Sequence, residues 1–193
     1  MISDTTDMEI RREVHRKLLK QSHISEGTIV IDELGVSHGR NRVDIAVLNG
    51  LLHGYEIKSS KDNLKRLPTQ ISEYSKVFQK LTLIVDQKHF EHSLSHIPHW
   101  CGVVVVNKGI RGGIHFSKYR GAQLNPQVSA FDMAHLLWRK EVYDFLTTGL
   151  GQQLNKNATR ATLYNELVNQ CSVKDIFELI KTMFTRRENW RFA

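Results

Sequence analysis

Cysteine is scarce in this chain. There are two in 193 residues, Cys101 and Cys171, far apart in sequence. No CxxC pair or spaced Cys/His finger accompanies them, which excludes a disulfide framework and a zinc-finger staple and points to a reducing cytoplasm. Long hydrophobic runs are missing as well. The longest, Val103-Val104-Val105-Val106, falls far short of the roughly 20 residues that cross a bilayer. The opening segment MISDTTDMEIRREVHRK has no apolar core and does not read as a signal peptide. Internal repeats and low-complexity stretches are absent too. Hydrophobic residues at 40% and charged residues at 24% describe a soluble globular chain, long enough to bury a core without a staple. Acid is the minority charge: 20 Asp+Glu face 27 Lys+Arg, a net charge of +7. That balance favours a polyanionic partner, nucleic acid before membrane.

The patterning divides the chain in two. Ile10, Val14 and Leu18 space a helix over 7–22. Strand-like stretches follow over Thr28–Leu34, Arg42–Leu48 and Leu51–Lys58, the last two flanking Asn49-Gly50, a strong hairpin signal. A helix is predicted over Leu64–Gln79, with Pro68 in its first turn. Leu81–Val85 and Cys101–Val106 read as buried strands around a short helix at 87–97, and Gly113–Tyr119 as an edge strand. From Phe131 the pattern is helical only. Phe131, Ala134, Trp138, Val142 and Phe145 mark one helix, and Leu163 and Leu167 a second. Ser172, with Asp175 at capping-box spacing, starts a third. An α/β core over 1–125 and a helical extension over 130–193 are therefore expected.

Chemistry concentrates in the hairpin. Arg42-Val43-Asp44-Ile45-Ala46 is followed by Glu56-Ile57-Lys58, with eleven residues between Asp44 and Glu56. Glu56 and Lys58 share a strand face. If Leu48 pairs with Leu52 and Ala46 with Gly54, Asp44 meets Glu56. An ideal two-residue turn would put the acids on opposite faces, so this register needs a three-residue loop or a bulge. Converging carboxylates require a compensating cation. Two carboxylates and a backbone carbonyl, that of Ile57, suit Mg²⁺, with Mn²⁺ as a substitute. Lys58 then stands beside an attacking water or a developing phosphate charge.

A helix, a hairpin carrying D-x11-E-x-K, a helix and a buried strand resemble the PD-(D/E)xK nuclease superfamily. Val43 stands where its proline usually does. Gln70-Ile71-Ser72-Glu73-Tyr74 gives the Q-x3-Y that resembles the RecB-type exonuclease branch, and GYEIKSSKDNLKRLPTQISEY is similar to small bacterial members. The resemblance covers about residues 8–106. It implies a restriction-endonuclease-like core, a mixed central sheet flanked by helices. It implies metal-holding Asp44 and Glu56, a catalytic Lys58, and Arg66, Gln70 and Tyr74 as a stripe against the nucleic-acid backbone. Glu33 is added as a metal-linked acid because Ile29 and Ile31 suggest a buried strand face. Glu13 is assigned instead to an i, i+4 pair with Lys17.

The function expected is thus a cytoplasmic Mg²⁺-dependent nuclease acting on phosphodiester bonds, in DNA. The alternative is a catalytically silent nucleic-acid-binding or regulatory module on the same fold. Two further features read as structural before functional. His89, His92 and His96 lie at helical spacing, but Pro98 interrupts the helix before His99, so a solvated helix is preferred to a zinc site. Lys108, Arg111, Lys118 and Arg120 are either a phosphate rim or the guard of an edge strand. The C-terminal helices offer a homodimer or protein-partner face, and a helix-turn-helix at Cys171-Ser172 is the less favoured reading.

Overall fold

The structure, a computed structural model, describes residues 4–187. Helix α1 (Asp7–Glu13) starts at Thr6, where Thr6 and Glu9 cap one another reciprocally. It runs on through a π-helical turn, Val14–Leu18, and α2 (Lys20–Ile24). The wider turn advances the helix phase, so Leu19 is buried at 2% exposure and Leu18, predicted on the apolar stripe, stands 39% exposed. Glu13 pairs with Lys17 at 3.0 Å, as its spacing suggests, and also with Arg16.

Strands β1 (Ile29–Val36), β2 (Asn41–Leu48), β3 (Leu52–Lys58), β4 (Lys80–Asp86), β5 (Gly102–Lys108) and β6 (Ile114–Arg120) form one mixed sheet in chain order. The first three are antiparallel, β3–β4–β5 are parallel, and β6 returns antiparallel as an edge. The two parallel steps enclose α3 (Leu67–Val77) and the short α4 (Phe90–Leu94), as parallel neighbours require a crossover. Pro68 sits in the first turn of α3.

Each sheet face has its own core. On one, Ile10, Val14 and Leu19 pack against Ile45, Val47, Ile57, Ile84 and Val106. On the other, α3 and the C-terminal helices share one cluster with Ala46, Leu48, Leu83 and Val85. β4 is thus buried on both faces, as its unbroken apolar run demands. The C-terminal part comprises α5 (Ala130–Ala134), α6 (Arg139–Asp144), α7 (Arg160–Gln170) and α8 (Val173–Arg186). The single helix predicted over Phe131–Phe145 is two. The chain leaves the helix after Ala134, buries Leu136 and Leu137 in the connection, and restarts at Trp138 with Glu141 accepting its N–H at 2.7 Å. Helix α8 starts at the Ser172–Asp175 capping box and buries Ile176, Phe177, Ile180 and Phe184 against the sheet's core. Its stripe is used for packing rather than presented to a groove. No described helix is long and apolar enough to cross a membrane.

Candidate active site

The β2–β3 hairpin sets the geometry. Leu48 pairs with Leu52 and Ala46 with Gly54, leaving Asn49-Gly50-Leu51 as a three-residue loop. Gly50 adopts φ 66°, a conformation open to glycine, and the Asn49 N–H donates to the Leu51 carbonyl at 3.1 Å. Gly54 is small because Phe78 needs its space: a Cβ there would lie 3.0 Å from the ring. Regular pairing ends at Ile45 and Tyr55. One residue further on, the Asp44 side chain replaces the ladder, its Oδ2 accepting the Ile57 N–H at 2.6 Å.

The other edge of β2 is interrupted at the same place. Asp32 pairs with Ile45 and Leu34 with Val43, but Glu33, opposite Asp44, is skipped. Glu33 has φ 56°, the left-handed region that non-glycine residues seldom occupy. The twist reverses the strand's alternation, so Ile31 and Leu34 both enter the core while Glu33 is exposed. Glu33 therefore does not share a buried face with Ile29 and Ile31, the ground on which it was assigned a metal-linked role. It forms an ion pair with Arg11 instead.

These irregularities open a cleft of about 400 Å³ at the end of the sheet, lined by Asp44, Glu56, Ile57, Lys58, Arg66 and Gln70, with Asp7, Arg11, Glu33 and Asp62 beside them. Glu56 is 1% exposed. Its Oε1 accepts from Lys58 Nζ at 2.6 Å and Gln70 Nε2 at 2.7 Å, while its Oε2 is buried with no hydrogen-bond partner. Gln70 Oε1 is in the same condition. Burial first, and then the neighbouring Glu56, push the Asp44 carboxyl up to about 8 against the pull of the Ile57 N–H and Arg11. Burial likewise raises Glu56, opposed mainly by Lys58. The two acids titrate as a pair, and together they favour holding a positive charge between them, proton or metal. Gly39, Arg40, Asn41 and Arg42 complete the lining.

With the site in view, comparison with known proteins gives its kinship. The chain matches the family described as bacteriophage P4 protein cII over residues 2–192. It belongs to that family. It is 27% identical over 165 residues to protein cII of Enterobacteria phage P4, an alignment covering 86% of this chain and 58% of the relative. The chain thus spans less than two thirds of the length of that curated relative. No solved structure matches it.

The structure brings Asp44, Glu56, Ile57, Lys58, Arg66 and Gln70 together. It does not bring Tyr74 to the surface. Tyr74 is fully buried, and its hydroxyl donates to the Arg42 carbonyl at 2.7 Å and receives Gln70 Nε2 at 3.3 Å. It braces Gln70 and β2 from beneath, so the expected backbone-contacting stripe reduces to Arg66 and Gln70. Of the basic stretch, Lys108 is engaged by Glu9 and Arg120 by the carbonyls of Pro98 and Cys101. The histidine-rich segment is a 3₁₀ turn and one short helix. Among the described residues no group of three His, Cys, Asp or Glu side chains is placed to hold an ion. Arg11, Asp7, Asp62 and Arg40 had escaped sequence reasoning. Asp7 and Arg11 show an i, i+4 pair in sequence, but Arg11's reach to Asp44 crosses 33 residues and leaves no local signal.

Proposed function

We propose that this chain is a divalent-metal-dependent nuclease of the PD-(D/E)xK kind, hydrolysing phosphodiester bonds in DNA in the cytoplasm. The observation that carries the reading is Glu56 Oε2: a buried carboxylate oxygen without a donor, on the same cleft as Asp44 and beside the likewise unpartnered Gln70 Oε1. Burying such an oxygen bare costs free energy, and a hard cation seeks oxygen ligands of this type. Asp44, Glu56 and the Ile57 carbonyl would hold Mg²⁺ or Mn²⁺. A divalent cation held there would supply a water of lowered pKa and a Lewis acid for a phosphate oxygen.

The chain's own groups divide the remaining work. Gln70 fixes the Glu56 carboxylate through Nε2, and Tyr74 holds Gln70 in turn. Lys58, one residue beyond Ile57 and hydrogen-bonded to Glu56, is set to orient the water or to meet charge developing on phosphate. Arg40, Arg42 and Arg66 supply cations on the rim for flanking phosphates. The free Cys101 and Cys171 suit a reducing compartment.

One observation favours the second reading, a catalytically silent nucleic-acid-binding module: Arg11 already neutralises Asp44. The experiment is cleavage of linear, circular and single-stranded DNA, and of RNA, with Mg²⁺ or Mn²⁺, by the wild type and Glu56→Gln. Metal-dependent cutting that Glu56→Gln abolishes supports the nuclease. Binding of DNA and RNA without cleavage of either under both metals would move the reading to the binding module.

A further inference from the structure

The two acids of the cleft are not equally available. Glu56 keeps one oxygen bare, whereas both oxygens of Asp44 are taken, Oδ2 by the Ile57 N–H and Oδ1 by Arg11 Nη2 at 2.8 Å. Arg11 grips Asp44 twice, because its Nη1 also donates to the Asp44 backbone carbonyl at 3.0 Å. The same guanidinium reaches Asp7 Oδ1 through Nε at 3.2 Å and pairs with Glu33. Its side chain is 17% exposed, while those of Asp7 and Glu33 are each 44% exposed and lie toward solvent. A divalent cation on Asp44 would stand against this fixed positive charge, and like charges at hydrogen-bonding distance repel strongly in a partly buried site. The outer acids can keep the guanidinium once it lets go of Asp44. The strained backbone at Glu33 is what aims one of them at it.

We infer that Arg11 is a built-in counter-ion that holds Asp44 until a divalent cation displaces it, with Asp7 and Glu33 receiving the released guanidinium. This rests on the metal-site reading above and adds a rule to it: metal affinity is set by an exchange of cations on Asp44, so Arg11 keeps the site closed at low metal. Arg11 is a positioning residue in this scheme and touches no substrate.

The test is calorimetric titration of Mg²⁺ and of Mn²⁺ into the full chain without nucleic acid, with thermal unfolding alongside. Arg11→Gln should bind either metal at least about tenfold more tightly than the wild type, since the competing internal state is removed. Its metal-free unfolding temperature should fall and its metal-induced rise should grow. Arg11→Lys keeps the charge but loses the two-pronged grip, and should tighten binding by about threefold; it serves also if the Gln variant does not fold. Glu33→Gln should weaken metal binding in the wild type and leave it unchanged in Arg11→Gln. A folded Arg11→Gln whose affinity equals or falls below the wild type overturns the exchange while leaving the metal site standing. If neither protein binds metal at millimolar concentration, the metal site fails and the exchange with it.

Discussion

The two ends of the β2–β3 hairpin are built on opposite terms. At the loop end, Leu48 faces Leu52 and Ala46 faces Gly54, every backbone pair is made, and Phe78 fills the space a side chain on Gly54 would need. Six residues away from Leu52, at Lys58, the ladder has stopped, a side-chain carboxylate has taken over a backbone N–H, and five acids and five cations line one cleft. The apolar end fixes the register, and the register delivers the polar end. A slip of one residue would send Asp44 to the opposite face from Glu56. The comparison teaches that the energy holding the site together is spent away from the site, and variants at the two ends should separate activity from stability.

The largest effect is expected at the polar end. Under the proposed nuclease function, Lys58→Ala should lower cleavage by about 10²–10³-fold, the usual loss when a preorganised charge facing the transition state is removed. Nucleic-acid binding, measured at fixed salt, should be kept. Unchanged turnover in the variant would assign Lys58 to neutralising Glu56 and nothing more.

At the apolar end, Leu48→Ala should cost about 3 kcal/mol of stability, within the range for a fully buried leucine. Urea unfolding measures it. Turnover per folded molecule at low temperature should stay near wild type. A large loss of turnover with little loss of stability would break the division of labour between the two ends.

How much of this could be read from the residues follows the same division. The strands, the buried character of β4, the place of Pro68 in the first turn of α3 and the α8 cap were legible because each depends on neighbours in sequence, whereas α3 itself starts at Leu67 rather than at Leu64. The three-residue loop was legible from a conflict: Asn49-Gly50 pointed to one register and the pairing of Leu48 with Leu52 to another, and packing prevailed. The π-turn after Glu13 was not legible, since Ile10, Val14 and Leu18 satisfy an ordinary helix equally well. Nor was Glu33's left-handed backbone, which the alternation of Ile29 and Ile31 contradicts. Tyr74 fell on the right helix face at the right spacing. Its burial depends on the Arg42 carbonyl, 32 residues earlier, being there to receive its hydroxyl.

A pH dependence belongs to the apolar half of β3. His53 is packed against Tyr55 with its Nε2 on Thr82 Oγ1 at 2.8 Å. Burial, helped by Lys80, depresses its pKa from 6.5 to about 4. The folded state thus binds fewer protons than the unfolded state between those values. Stability from this group is complete above pH 6.5 and is lost as pH falls toward 4, by about 1–3 kcal/mol. His53→Gln should flatten the acid side of the stability profile in urea titrations between pH 7 and 4. An identical slope in the variant would place the acid sensitivity elsewhere.

The smallest effect joins the two ends. Tyr74 belongs to the core by burial and to the site by its hydroxyl, which donates to the Arg42 carbonyl and receives Gln70. Tyr74→Phe leaves the ring and its edge contact with Phe78 in place and removes the hydroxyl alone. The Arg42 carbonyl loses a donor, and the stability cost should be about 1 kcal/mol, the usual net worth of one such bond. Gln70 keeps Glu56 but loses its brace, so metal affinity should weaken slightly while Lys58 and the register of β2 and β3 are untouched. Urea unfolding and metal titration on the same preparation check both halves. A variant that loses stability but binds metal as the wild type does would make Tyr74 a core residue only. A variant that loses both in step would show that the packed end of the hairpin reaches the site through this one hydroxyl.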